Sequence, residues 1–255
     1  MNSKIKNWRD QRVWVIGASS GIGAETARAL QARGAKLALS ARNAQGLQQL
    51  ANNHAGTLVL PLDITDHASV IGAHKQILAQ WGGIDLVLIV AGTYNKMRAD
   101  NFDLGVAKKL LEINLNGTLN CLDAVLPTLL QQNKGGIGIV SSVAGFRGLP
   151  EALVYGPSKA ALINLCEALY LDLHPRGINV YLINPGFVAT PLTAGNDFAM
   201  PALITAAEAA QELISGIERG EFHIHFPKRF TNWLRVTRLL PYRIYFWLVH
   251  KVTGL

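Results

Sequence analysis

Apolar runs of strand length alternate along this chain with longer stretches whose apolar positions recur at helical spacing. Val13, Val15 and Ile16 form the first apolar run and lead into the turn of WVIGASSGIG (14–23); residues 22–33 then read as a helix that stops near Gly34. KLALSA (36–41) predicts a second strand, 44–53 a short polar helix, and TLVLPLD (57–63) a third strand ending on an acid. Asp66 is placed to cap a helix over 68–80, before Gly82 and Gly83. IDLVLIVAG (84–92) is apolar almost throughout, as a strand covered on both faces must be. A long helical region containing Asn114 runs to about Gln132, with a kink or local break expected at Pro127. IGIVSS (137–142), a helix over 155–173, INVYLINPG (178–186), an amphipathic helix over 205–219 and EFHIHF (221–226) complete the series. Strands and helices thus alternate through connections too short to divide domains. The order predicts an α/β fold: a doubly wound, mostly parallel seven-stranded sheet flanked by helices, Rossmann-like, with ligands outside the carboxyl ends of its strands.

Composition adds a boundary to this picture. The 255 residues are 49% hydrophobic and 16% charged, enough for a large core, and no Pro/Gly/Ser-rich linker divides them. The net charge is +7, and Lys228, Arg229, Arg235, Arg238, Arg243 and Lys251 contribute six units of it from the acid-free stretch 222–255. The body is therefore nearly neutral. Residues 1–227 read as one domain and 228–255 as a basic amphipathic C-terminal extension. Cys121 and Cys166 fall in apolar helical patterns, outside any CxxC pair, and are expected in the core. The start, MNSKIKNWRD, lacks the apolar run of a signal peptide, so a reducing cytoplasmic compartment is expected.

The strand ends direct Gly17 to Gly23, Arg42, Asp63, Ala91-Gly92, Ser141-Ser142 and Asn184-Pro185-Gly186 towards one crevice. Glycines 17, 21 and 23 let the backbone turn tightly and approach a bound group, while the following helix start offers free N–H groups to a phosphate. Tyr155 and Lys159 are four apart in YGPSK and share one helix face. A phenol with pKa ~10 is a poor acid–base group at neutral pH, and the neighbouring ammonium is expected to stabilise the phenolate and lower that value. Ser142 offers a hydroxyl to a substrate carbonyl or alcohol. Taken singly, the glycine loop is a weak signal and the Tyr–Lys pair reads more readily as surface or packing residues; the setting at the strand ends reverses that reading.

As an ordered set these segments resemble the short-chain dehydrogenase/reductase family over residues 11–227: GASSGIG at 17–23, the acid Asp63, VAG at 90–92, Asn114 in LEINLNGT, SSVAG at 141–145, YGPSK at 155–159 and NPGFVATPL at 184–192. The resemblance implies that Ser142, Tyr155 and Lys159 form the catalytic group, with Ser142 favoured over Ser141 by its 13-residue spacing from Tyr155. It implies that Asn114 supports a proton relay through water. It also implies a pyrophosphate turn built from Gly17, Ser19, Ser20, Gly21, Ile22 and Gly23, with Asp63 and Ile64 beside adenine. Ala91 and Gly92 would permit close approach of the cofactor. Tyr155 and Lys159 would reach its nicotinamide ribose; Pro185, Gly186, Val188 and Thr190 would lie by the nicotinamide, the last two orienting its carboxamide. A homodimer or homotetramer through the helices around 105–130 and 155–173 is implied as well. Two departures stand out. Ile89-Val90-Ala91-Gly92 replaces the usual Asn-Asn-Ala-Gly, so Val90 lacks amide contacts and altered stability or cofactor affinity is expected; and 193–204 forms only a modest lid.

Ala41 occupies the place where an acid would accept the ribose 2′-hydroxyl of NAD, and Arg42 after it suits a 2′-phosphate. NADP(H) is accordingly expected over NAD(H), against the plainer account of an Arg42 that pairs with a nearby acid. The expected activity is reduction of a ketone or aldehyde to an alcohol, or the reverse, with Tyr155 moving the proton and no catalytic metal. The alternative is a catalytically weak NADP(H)-binding regulatory or scaffold protein. His223 and His225 alternate on one side of a strand without a clear third ligand, and read as surface or interface residues. In the extension, the apolar stretch from Leu239 to Val249 contains Pro241 and Arg243 and is shorter than the ~20 residues that span a bilayer. It is expected to split at Pro241 and lie peripherally on an anionic membrane surface, which would suit a hydrophobic or lipid-like substrate. Packing on a partner subunit is the competing expectation. The near-neutral body argues against nucleic acid, although a basic aromatic tail can stack on bases.

Overall fold

The computed structural model describes residues 1–52, 54, 56–197 and 199–254. Asn53, Ala55, Phe198 and Leu255 lie outside the described residues, and with them the last residue of the helix expected over 44–53, one residue of the lid and the end of the extension. The strands are β1 (Arg12–Ile16), β2 (Lys36–Ser40), β3 (Leu58–Val59), β4 (Leu86–Ile89), β5 (Gly135–Val140), β6 (Ile178–Pro185), β7 (Val188–Ala189), β8 (Ile204–Thr205) and β9 (His223–Phe226). Seven of them form a parallel sheet in the order β3-β2-β1-β4-β5-β6-β9, and β7 pairs with β8 apart from it. Order reverses between β1 and β4, where a doubly wound sheet opens its crevice.

The helices are α1 (Gly21–Ala32), α2 (Ala44–Ala51), α3 (His67–Trp81), α4 (Leu104–Leu111), α5 (Gly117–Gln132), α6 (Tyr155–Leu173), α7 (Ala206–Glu218), α8 (Lys228–Thr237) and α9 (Tyr242–Thr253). Side chains alternate across a strand, so β1 feeds two cores: Trp14 and Ile16 join Ile77, Val125 and Cys166 on one face, while Val13 and Val15 join Leu30, Leu47 and Leu213 on the other. Both cysteines are fully buried, and burial pushes their thiols up to about 12. Local sequence fixes several helix ends. Asp66 Oδ1 accepts from Ala68 N and Ser69 N at the start of α3, and Gly82, at φ 67°, ends it.

Some expectations need correction. No break falls at Pro127: α5 runs from Gly117 to Gln132 with the proline inside it. Pro127 and Asp123, whose carbonyl loses its helical donor, are both exposed, which opens that carbonyl to solvent. The irregularity falls earlier, in a π-helical turn at Glu112–Asn116. The third strand is regular only at Leu58–Val59, although Leu60 N and Leu62 N still donate to Leu39 O and Ala41 O. His223 and His225 do share one side, with ring centroids 4.8 Å apart, yet they belong to the interior. Burial, assisted by nearby positive charge, pushes them down to about 3 and about 4, so both are neutral.

At the opposite end of the sheet from the crevice, the start of the chain is tied in. Asn2 Nδ2 donates to Val180 O at 2.6 Å, Val180 N donates back to Asn2 Oδ1 at 3.1 Å, and Ser3 N donates to Asn179 Oδ1. The tail splits at Pro241, which precedes α9, and no helix among the described residues is long and apolar enough to cross a membrane.

Candidate active site

One cleft of about 360 Å³ opens at the carboxyl ends of β1, β2, β4, β5 and β6. Its floor at the cofactor end is the turn after β1. Gly17 takes φ 98°, and a Cβ there would stand 2.5 Å from Ala91 N; a Cβ on Gly23 would stand 2.1 Å from Gly17 O. The backbone segments therefore touch, as only glycine permits. Ser20 precedes α1 without a side-chain cap, and no acid lies in the first turn. The N–H groups and positive end of α1 are left for an anion in the cleft.

The other sequence-predicted binding residues line the same cleft: Ser19, Ile22, Arg42, Asp63, Ile64, Ala91, Gly92, Pro185, Gly186, Val188 and Thr190. Arg42 is exposed at the end of β2 and makes no ion pair among the described residues. Asp63 Oδ1 accepts from both the N–H and the hydroxyl of Thr65; these bonds, with the positive charge of Arg42 and Lys109, hold the carboxyl below its ordinary range. Its Oδ2 remains for the cleft. Val90 packs against the apolar core and donates its N–H to Ile16 O, so aliphatic packing takes the place of the amide contacts expected there. Such a donor set, a glycine cradle at an uncapped helix end with an arginine and a carboxylate beyond it, fits a dinucleotide.

At the other end of the cleft Ser142, Tyr155 and Lys159 converge. Ser141 Oγ donates to Lys159 O at 2.7 Å, joining β5 to α6, while Ser142 Oγ accepts from Ala144 N and stands beside the Tyr155 phenol, whose pKa it lowers. The two adjacent serines thus divide the work: Ser141 braces the helix and Ser142 meets the phenol. Lys159 Nζ donates to Val140 O at 3.0 Å and lies 5.7 Å from the Tyr155 ring centroid. The expected lowering of the phenol by Lys159 does not occur. Burial pushes Tyr155 up to about 12, only partly opposed by Ser142, and burial pushes Lys159 down to about 8. The ammonium is spent on a carbonyl rather than on the phenol.

Asn114 is fully buried in the π-helical turn. Its Oδ1 accepts from Thr93 N at 2.8 Å, and its Nδ2 donates to Thr93 O and Ser158 Oγ. The side-chain amide is thereby committed to bracing the loop after β4. Its backbone carbonyl, which accepts from Thr118 Oγ1, keeps a second lone pair for a water.

A family model described as short chain dehydrogenase matches residues 11–199. The chain belongs to the short-chain dehydrogenase/reductase family. An uncharacterized oxidoreductase of Myxococcus xanthus (strain DK1622) is 36% identical over 231 residues, 89% of this chain and 91% of its own length. A short-chain dehydrogenase from Streptomyces avermitilis shares the fold at TM-score 0.81 and 21% identity, covering 96% of this chain and 98% of that one. A chain described as ribose-5-phosphate isomerase from Brucella melitensis 16M matches at TM-score 0.78 and 26% identity, covering 88% and 94%. A fold accommodates more than one chemistry, so the reaction must be argued from the cleft.

Membership in the short-chain dehydrogenase/reductase family carries oxidoreductase activity of the family's general kind, with a nucleotide cofactor and a small-molecule substrate. Several contacts beside this family member's cleft escaped the sequence reading. Tyr94 meets the Tyr155 ring edge-on at 5.0 Å, and its hydroxyl donates to Glu151 O. Lys96 bridges Asp197 of the lid and Glu151 of the loop before α6. No spacing rule marks these contacts, because they join segments far apart in the chain. Among the described residues, no three His, Cys, Asp or Glu side chains group as a metal site.

Proposed function

We propose that this protein is an NADP(H)-dependent oxidoreductase that interconverts a ketone or aldehyde and its alcohol, with Ser142, Tyr155 and Lys159 as the catalytic group. The observation that carries this reading is the convergence of Ser142, Tyr155 and a buried Lys159 in one cleft that ends at an uncapped helix terminus and Arg42. The bound dinucleotide supplies or accepts a hydride. The N–H groups at the start of α1 hold its pyrophosphate, Arg42 pairs with its 2′-phosphate, and Asp63 and Ile64 flank its adenine. Ser142 and Tyr155 hold the substrate carbonyl by hydrogen bonds, which strengthen as negative charge grows on that oxygen. Tyr155 then donates its proton; Lys159 stabilises the phenolate left behind, and a water on the Asn114 carbonyl returns a proton from solvent.

The titration order favours reduction near neutral pH. Tyr155, pushed up to about 12, carries its proton throughout the working range, and Lys159, pushed down to about 8, is charged below that value. In reduction, log kcat/KM is expected to be flat up to pH ~7 and to fall as pH rises through ~8, where Lys159 loses its charge. In Lys159→Arg that break is expected to vanish, since a guanidinium keeps its charge. A pH–rate profile of both proteins checks this, and an unchanged break in the variant assigns it to another group.

Cofactor preference rests on Arg42. Fluorescence titration is expected to show NADPH binding more tightly than NADH, and Arg42→Ala to weaken NADPH by about 10- to 100-fold with little effect on NADH. Equal loss of both would remove Arg42 from the 2′-phosphate. Binding of neither cofactor by the folded protein would remove the oxidoreductase reading itself.

In this reading residues 1–227 are the catalytic domain, which works as a homodimer or homotetramer. The extension 228–255 contacts an anionic membrane peripherally, and the substrate is hydrophobic or lipid-like. Six cations set among large apolar side chains, without an acid, support the lipid contact.

A further inference from the structure

The loop 143–154 joins two residues of the cleft, Ser142 and Tyr155, and the tail grips it. Arg147 Nη1 donates to Thr237 O and to Leu240 O, both at 2.7 Å, and so holds the turn after α8 in which Leu240 N donates to Thr237 O. Its guanidinium lies 4.0 Å from the Tyr245 ring centroid and 5.0 Å from that of Tyr242. Tyr245, buried on α9, donates its hydroxyl to Gly148 O at 2.6 Å. Nearer the cofactor end, Phe230 of α8 packs on Phe187, with centroids 5.6 Å apart, and a Cβ on the cleft residue Gly186 would meet Phe230 at 3.1 Å. The inner face of the tail thus packs on segments that carry cleft residues.

The outer face has the opposite character. Trp233, Leu239, Trp247 and Val252 are 73%, 85%, 60% and 75% exposed. Cations lie among them: Arg229 is one turn before Trp233, and the Lys251 ammonium lies 5.1 Å from the Trp247 ring centroid. A second copy is a poor occupant for this face, because a two-fold contact would set six cations against six others. Single-stranded nucleic acid would stack on the indoles but leave the aliphatic groups in water. An anionic lipid surface satisfies both kinds of group, taking the apolar side chains below the headgroups and leaving the cations among the phosphates.

We propose that the outer face of α8 and α9 docks on an anionic lipid surface and that the Arg147–Tyr245 clamp transmits docking to the loop 143–154, so that lipid contact steadies the segment joining Ser142 to Tyr155. The inference rests on the oxidoreductase reading for the meaning of that segment, but docking and its transmission are measured without turnover.

The experiment uses the full chain with vesicles of phosphatidylcholine alone or with a third phosphatidylglycerol. Co-flotation is expected only with the anionic vesicles and is expected to weaken in high salt. Trp233→Ala with Trp247→Ala should lower the bound fraction about tenfold at unchanged thermal midpoint. Backbone hydrogen exchange over 143–154 is expected to slow on the anionic vesicles. Tyr245→Phe, which keeps the ring and removes the bond to Gly148, should still float and lose most of that slowing. Failure of the folded wild-type chain to float overturns the docking surface, as does equal binding to neutral vesicles; a tail-dependent dimer in place of flotation assigns the face to a second copy. Flotation without any change in exchange over 143–154, or an unaltered change in Tyr245→Phe, overturns the transmission. Should both measurements succeed while neither nicotinamide cofactor binds, the docking device stands and the reductase reading fails.

Discussion

Tyr155→Phe is expected to lower kcat for carbonyl reduction by about 10³-fold while leaving NADPH affinity within a factor of ten. The substitution removes one oxygen from a ring whose position is fixed independently, by its edge-on contact with Tyr94 and its place at the start of α6. The oxygen removed is the one proposed to meet the substrate beside Ser142, so the carbonyl loses both its proton donor and one hydrogen bond. Stability should change little, by about 1 kcal/mol, since only one hydroxyl is removed. Steady-state kinetics with an aliphatic ketone, together with cofactor titration, distinguish the outcomes. Near-normal turnover would mean that another group supplies the proton, and lost cofactor binding would make the phenol chiefly a ribose ligand.

Gly23→Ala is expected to damage the protein more broadly. Its added methyl would lie 2.1 Å from Gly17 O and 2.9 Å from Gly17 C, both backbone atoms of the turn that defines the cleft floor. No rotamer relieves a clash between main-chain groups, so either α1 moves off β1 or the turn opens. A loss of more than about 3 kcal/mol in unfolding free energy is expected, with cofactor binding lost even where the fold survives. Gly72→Ala provides the contrast: Gly72 lies within α3 and has nothing within 4 Å of the added methyl, so this change should stabilise by about 0.5–1 kcal/mol. Denaturant midpoints of the two variants test the comparison, and similar midpoints would show that the α1 contact is softer than its distances imply.

What the sequence made legible follows from the range of the interactions involved. The alternation of apolar runs depends on each strand's burial on two faces, and the doubly wound seven-stranded sheet it implied is the one observed. Asp66, Gly82 and Pro241 act within one turn of themselves, and each marks the helix end expected of it. Ser142 was preferred over Ser141 through the resemblance alone. That the helix continues through Pro127 was hidden, because the carbonyl left without its N–H lies on an exposed face and exposure is a tertiary property. The π-helical turn at Asn114 was hidden for a related reason: the bonds that draw Asn114 inward come from Thr93 and Ser158, on other elements. The Tyr155–Lys159 expectation treated the pair as if it were alone. Val140 O competes for the ammonium, and burial then dominates both groups. Arg147 gave no signal, because its meaning lies in the helices it holds 90 and 93 residues further on.

The amide of Asn2 has a consequence for how molecules of this protein meet one another. β6 begins at Ile178, but β9 pairs with it only from Leu182 onwards, so the first residues of β6 reach the margin of the sheet with one side lacking a strand. An unpaired stretch of this kind is a template on which a second chain can add by main-chain hydrogen bonds, the first step towards aggregation. Asn2 occupies both the N–H and the carbonyl of Val180, and Ser3 engages the next residue back through the Asn179 side chain. Two residues thus perform the protective office of a missing strand, keeping a strongly hydrophobic sheet from recruiting its neighbours.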